Sequence, residues 1–290
     1  MNKKTIGILA ILGASLMWAI EPIFGKLSYS NSDFLHTSAI RAFFVVLTAM
    51  AYVFITNKGN FKLNKVQLST VVYIGIIGTV FADLIYFYAF TKISVINAVL
   101  IGHMQPIFII LIGYFILKED KLTKFDYLGI VIMMIAGLLV TTRTFANLSA
   151  LRLGTFGDFL VLLATVAWAT TGIAMRKYLR DMNAGVVAFY RFLVASIILG
   201  FYLLFTSSII ISNVYQILVG FVVGIGTILY YEGLKRLKAA QVGALELSTP
   251  FFAAILGFFV LGEITTFMQI IGIALLFVGV YLLSKHEQNS

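Results

Sequence analysis

Ten runs of about 20 apolar residues, separated by short polar breaks, organise this chain. They are Thr5–Gly25, Phe34–Thr56, Leu68–Phe90, Ser94–Leu117, Phe125–Thr142, Gly157–Arg176, Gly185–Thr206, Asn213–Leu234, Ala239–Leu261 and Thr265–Ser284. A helix of about 20 residues crosses roughly 30 Å of hydrocarbon, so the pattern predicts an all-α membrane protein with ten transmembrane helices. The breaks carry Lys, Asn, Asp, Gly and Ser, and no stretch between runs is long enough for a soluble domain. Lys3 and Lys4 precede the first run as they would in a signal peptide. That run is too long for the apolar region of such a peptide, and Trp18-Ala-Ile-Glu21-Pro22 is a poor cleavage site, so it reads as a retained helix.

Charge supports the span count. With ten helices, the side shared by the ends and the even-numbered loops carries Lys3, Lys4, Lys58, Lys62, Lys65, Lys118, Lys121, Lys124, Arg176, Lys177, Arg180, Lys235, Arg236, Lys238 and Lys285. The other side carries Lys26, Lys92, Arg143 and Arg152, which leaves Arg41 and Arg191 inside spans. Fifteen cations against four place both termini in the cytoplasm. Adding or dropping one span would scramble this asymmetry. Composition agrees: 61% of the 290 residues are hydrophobic and 11% charged, with a mean hydropathy of +1.01. Soluble domains carry about 25% charged residues, so a soluble enzyme and a disordered chain are both excluded. The pI of 9.6 does not point to nucleic acid, because the cations are spread over loops. The absence of Cys removes thiolate metal sites and thiol catalysis.

The chain repeats internally. A shift of 150 places Trp18-Ala19 on Trp168-Ala169, Lys26 on Arg176 and Arg41 on Arg191. A shift of 144 places Tyr86 on Tyr230, Lys92 on Arg236, Pro106 on Pro250, Gly113 on Gly257 and Glu119 on Glu263. The unit is five helices, spanning 1–146 and then 147–290. Five is odd, so the second copy enters the membrane from the opposite face, which makes an inverted repeat. Two such halves in slightly different conformations open one face and close the other, and exchanging the conformations reverses the openings. That is alternating access.

With Trp-Ala in the first helix of each half, an Arg in the second, a Pro in the fourth and a Glu just after it, the chain resembles the EamA type of the drug/metabolite transporter superfamily from about Ile6 to Ser284. The resemblance implies a secondary carrier or exporter of amino acids or other small metabolites. It also implies a central cavity lined by the first, third and fourth helices of each half. Here those helices hold Trp18, Asp83 and His103, then Trp168, Tyr230 and Glu246.

Ionisable side chains in the bilayer core are costly, by about 2.5–3.5 kcal/mol on insertion scales, and need a reason to be there. Glu21 and Arg41 lie toward the outer side of adjacent helices and can pair. Arg191 has no matching acid, because Thr171 stands where Glu21 would. Both arginines are read as structural ion-pair residues, as is Glu232, close to Lys235 and Arg236. Asp83 lies about 6 Å past the midplane of its helix at 1.5 Å per residue. Tyr86 is one turn on, and the repeat mate of Asp83 is Thr227, so the scaffold does not demand a charge there. His103 and Gln105 precede Pro106, as Glu246 and Thr249 precede Pro250. A proline frees a backbone carbonyl, and a kinked helix beside polar side chains suits a cavity wall. Trp18 and Trp168 sit mid-helix, either packing at the repeat interface or walling a solute site.

The candidate solute-binding residues are thus Trp18, Glu21, Asp83, Tyr86, His103, Gln105, Trp168, Tyr230, Glu246 and Thr249. The expected partners are a small-molecule solute and the lipid bilayer, with protons as a further candidate. The solute would be amino-acid-like, cationic or zwitterionic, and export is the expected direction. The pattern fits a monomer or a homodimer, and it calls for no cofactor, metal or nucleic acid. A lipid-handling or scaffold protein is the alternative, but it predicts no polar interior. An intramembrane enzyme fits less well. Ser15 lacks the second Gly of a nucleophile elbow, and Asp83 has no second mid-membrane Asp.

Overall fold

The computed structural model describes residues 3–112, 124–237, 242 and 245–284, and among these the chain is helical with no strand. Gly113, Lys118, Glu119, Lys121, Lys238 and Lys285 lie outside the described residues, as does part of the fourth and ninth runs. The helices are α1 (Lys3–Ser28), α2 (Phe34–Asn57), α3 (Lys65–Ala89), α4 (Val95–Gly102), α5 (Gln105–Ile112), α6 (Lys124–Thr142), α7 (Phe145–Ser149), α8 (Phe156–Tyr178), α9 (Ala184–Thr206), α10 (Val214–Leu234), α11 (Ser248–Leu261) and α12 (Phe267–Ser284). Six of them, α1, α2, α3, α8, α9 and α10, are long and apolar enough to cross a membrane. Four shorter apolar stretches cover Val95–Ile109, Tyr127–Thr142, Ser248–Leu261 and Phe267–Leu282.

The polar breaks end these helices by supplying caps for the free N–H groups of each first turn. Asp33 accepts from the Leu35 and His36 N–H groups, both at 2.8 Å. Asn64, Ser94, Thr155, Asn183 and Asn213 cap α3, α4, α8, α9 and α10 in the same way. The outward surface stays apolar, with Phe54, Phe205 and Phe259 exposed, as a hydrocarbon solvent permits.

Three features depart from simple spans. The middle of α3, Ile74–Asp83, widens into a π-helix, a form that concentrates at functional sites. The fourth run divides into α4 and α5 at His103-Met104. Pro106 has no N–H and its ring crowds the carbonyl four residues back, so Met104 and Ile107 bond three residues back instead, at 3.0 and 3.1 Å. The linker after α6 carries α7, capped by Thr144; its five residues are too few to leave a span signal.

Helix contacts run mainly between distant parts of the chain. α1 packs on α10 and α11, α2 on α9 and α10, and α3 on α8 and α9. α4 and α5 pack on α8, α4 also on α11, and α6 on α12. Small residues let the backbones meet. At Gly220 a Cβ would stand 2.5 Å from Phe44 Cβ and 2.9 Å from the Arg41 carbonyl oxygen. Gly220→Ala is therefore expected to destabilise the protein by about 1–3 kcal/mol through overpacking, read as a lower melting temperature in detergent. An unchanged melt would show that α2 and α10 can separate freely.

Candidate functional site

The six long helices each send one polar group or more to a common buried cluster. Arg41 on α2 is 1% exposed. Its guanidinium donates to Glu21 Oε1 on α1 at 2.8 Å and to Asp83 Oδ2 on α3 at 3.0 Å. The other Asp83 oxygen accepts the indole N–H of Trp168 on α8 at 2.8 Å and lies 3.6 Å from Arg191 on α9. Arg191 also donates from Nε to Thr79 Oγ1 on α3 at 2.8 Å and from Nη1 to the Tyr231 hydroxyl on α10 at 3.3 Å. Two carboxylates and two guanidinium groups balance formally, and aromatic rings enclose them. Arg41 lies 4.4 Å from the Phe87 ring centre and Arg191 5.1 Å from that of Phe192. At such burial each charge is held only by its partners.

Asp83 is the joint of this cluster, because its two oxygens face different arginines. Repeat symmetry offers Arg191 only Thr171 where Arg41 has Glu21, and Asp83 supplies the acid instead by reaching both arginines. The indole of Trp168 also bonds the Gly78 carbonyl at 3.2 Å. That carbonyl lies in the π-helical stretch of α3, so Trp168 reads a backbone irregularity and an acid together. Tyr86 packs edge-on against Trp168, with ring centres 4.9 Å apart.

A second group lies around the α4–α5 break. Trp18 on α1 packs on Tyr230 of α10 with ring centres 4.8 Å apart, and the Tyr230 hydroxyl donates to the Glu246 carboxylate. The His103 ring bonds the Val99 carbonyl at 2.8 Å and the Glu246 backbone. Gln105 Nε2 is 3.4 Å from where a Cβ on Gly172 would stand. Trp18, His103, Gln105, Tyr230 and Glu246 are all half-buried, whereas every residue from Val95 to Ile101 is buried. Thr249 Oγ1 and Arg41 Nε are buried without a hydrogen-bond partner, so each leaves a polar atom for a solute or a water to satisfy. Among the described residues no cluster of three His, Asp or Glu side chains could hold a metal ion.

Glu232 stands apart, at 2.9 Å from Lys235 and paired also with Arg236. Sequence reasoning missed Thr79 and Tyr231. A hydroxyl in an apolar run carries little signal alone, although Tyr231 adjoins the repeat-matched Tyr230.

Comparison with known proteins agrees with this picture. The EamA-like transporter family matches residues 5–142 and again 155–285. An uncharacterized transporter of Methanothermobacter thermautotrophicus is 25% identical, over 97% of this chain and 87% of that protein. The uncharacterized transporter YyaM of Bacillus subtilis is 27% identical, over 84% of this chain and 82% of its own. A solved crystal structure superposes with a TM-score of 0.65 over 99% of both chains; at 15% identity that likeness concerns the fold alone. With nearly its whole length matched, this multi-pass membrane protein belongs to the EamA-like transporter family of the drug/metabolite transporter superfamily.

Proposed function

We propose that this chain is a secondary transporter that exports a small polar or amphipathic metabolite by alternating access. In this reading ten helices form two inverted five-helix halves, 1–146 and 147–290, with both termini in the cytoplasm. The observation that carries it is that the helix contacts keep their pattern when the halves are exchanged. Replacing α1, α2, α3, α4–α5 and α6 by α8, α9, α10, α11 and α12 turns α1 on α10 into α8 on α3. It turns α2 on α10 into α9 on α3, and α1 on α11 into α8 on α4–α5. The contacts of α2 with α9, α4 with α11 and α6 with α12 map onto themselves.

Individual residues follow the same exchange. Trp18 packs on Tyr230 and its mate Trp168 on Tyr86. A Cβ on Gly220 would stand 2.9 Å from the Arg41 carbonyl oxygen, and one on Gly75 would stand 2.8 Å from that of Arg191. A rocking mechanism requires interfaces between halves that can trade conformations, and these contacts supply them.

The half-buried group of Trp18, Tyr230, Glu246 and His103 supports an amino-acid-like, cationic or zwitterionic solute. A carboxylate beside two electron-rich rings attracts an ammonium group. Asp83 joins both halves through Arg41 and Arg191, so a proton or a solute group that loosens it acts on both halves at once. Asp83 and Glu246 are the carboxylates through which a proton would be exchanged.

The test is flux in proteoliposomes, with a panel of amino acids and ammonium metabolites and with pH gradients of either sign. Movement of a solute without ATP is the expected outcome, and its acceleration by one gradient would establish proton exchange. A purified, monodisperse protein that moves none of the panel would overturn the solute class. Asp83→Asn is expected to abolish or uncouple transport while the protein stays monodisperse; full activity at every pH would remove Asp83 from the mechanism. Arg41→Ala leaves Glu21 without its cation and Asp83 with only Arg191, and is expected to cost about 3–5 kcal/mol of stability, measured by detergent melting. A variant of normal stability but without transport would make Arg41 a solute ligand instead.

A further inference from the structure

One end of the proposed solute chamber is built around the start of α4. All seven residues from Val95 to Ile101 are buried. Val95 and Val99 pack there with Ala19, Ile23 and Ala253, from α1 and α11, into one apolar plug. Past Ile101 the character changes: Gly102, His103, Gln105 and Pro106 are all half-buried.

Above the plug sits Glu263. Oε1 accepts from Lys26 Nζ at 2.8 Å and from the Val95 N–H at 2.9 Å, and Oε2 accepts from the Ile96 N–H at 3.2 Å. One carboxylate therefore ties the last turn of α1 to the first turn of α4. A negative charge at a helix N-terminus meets the free N–H groups and the positive end of the helix dipole. Glu263 is not a free loop residue. Gly262 adopts φ +66° to close α11, a conformation that suits glycine, and the Glu263 N–H then bonds the Gly257 carbonyl at 3.0 Å. The carboxylate thus moves with the end of α11.

A second set of bonds grips the same turn of α4. The buried Asn97 side chain donates to Asp158 at the start of α8, and its oxygen accepts from Gln269 Nε2 in the first turn of α12 at 3.2 Å. Asp158 lies 3.6 Å from Arg143 and accepts from Thr155 at 2.8 Å. The start of α4 is therefore held by groups from α1, α8, α12 and the turn after α11. None of these groups belongs to the half-buried group around Glu246 or to the charged cluster around Asp83.

We propose that Glu263 is the closing group of a gate at this end, and that releasing its carboxylate from Lys26 and from the α4 N-terminus opens the chamber there. The inference rests on the alternating-access reading, in which this end faces away from the cytoplasm. It adds the residue that locks one of the two states. The apolar plug supplies the seal, and Glu263 is its only described tie between α1, α4 and the end of α11 that is ionic.

The chain has no cysteine, so single reporters can be placed cleanly. Ala253→Cys puts a thiol in the plug, where the native side chain is 0% exposed, and Gln105→Cys puts one beyond the α4–α5 break. Labelling with a membrane-impermeant maleimide is timed from outside on right-side-out vesicles for the first and on inside-out vesicles for the second. Combining each with Glu263→Gln is expected to speed outside labelling at position 253 roughly tenfold, the factor for losing one charge-assisted bond, and to slow labelling at position 105. Lys26→Ala, which leaves the α4 N–H bonds in place, gives a smaller change of the same sign. It serves as the test if Glu263→Gln does not accumulate, and Lys26→Arg restores the native rates.

Unchanged labelling at position 253 in Glu263→Gln, or in Lys26→Ala where that stands in, overturns the gate. So does faster labelling at both positions, which reports loosened packing. Failure of the transport reading looks different: in the otherwise native chain, position 253 would never label from outside however long the reaction, whatever Glu263→Gln does.

Discussion

A charged group inside a membrane protein must be held by partners, because no water reaches it to share the cost. Glu21, Arg41, Asp83 and Arg191 meet that condition together. Arg41 alone would be an expensive cation, and Asp83 alone an expensive anion. Bound to each other and to Trp168, Thr79 and Tyr231, they form a neutral knot. The helices that supply it are the six long ones, so their relative positions are fixed by electrostatics as well as by shape. Moving any one of them by an ångström or two lengthens an ion pair or a hydrogen bond to a charged group in a medium of low dielectric, where distance matters most.

Much of this architecture was legible because the bilayer constrains it. Span length follows from hydrocarbon thickness, and the Glu21–Arg41 pairing follows from two charges at similar depth on adjacent helices. The polar residues before Pro106 marked a break, and the chain does break there. The role of Trp168 was not legible. Its indole bonds an acid 85 positions away, and nothing local to Trp168 distinguishes it from a packing residue. The partner of Arg191 was not legible, because the repeat offers only Thr171 there. Asp83 serves both arginines, an asymmetric solution that symmetry of sequence conceals. The π-helical stretch of α3 leaves no signal in hydropathy, since its residues are as apolar as those of an α-helix.

The structure separates two kinds of polar interior. At Asp83 both carboxylate oxygens are occupied, and Asp83 and Arg41 are buried. Around Glu246 the side chains are half-buried, and the contacts run through single hydrogen bonds and a tilted ring pair. Such a division suits a protein that must stay assembled while one face of its interior trades partners. Ion pairs keep the helices together, and groups held by single hydrogen bonds leave capacity for a visitor.

The division of charge along the chain also bears on biogenesis. Glu21, Arg41 and Asp83 belong to the first three helices, which emerge from the ribosome early and carry one excess negative charge among them. The balancing guanidinium of Arg191 and the indole N–H of Trp168 are synthesised only after residue 160. Until then the amino-terminal helices hold an acid without its full complement, in surroundings that penalise it. The acid of the first half therefore gains its full set of partners only when the second half is present.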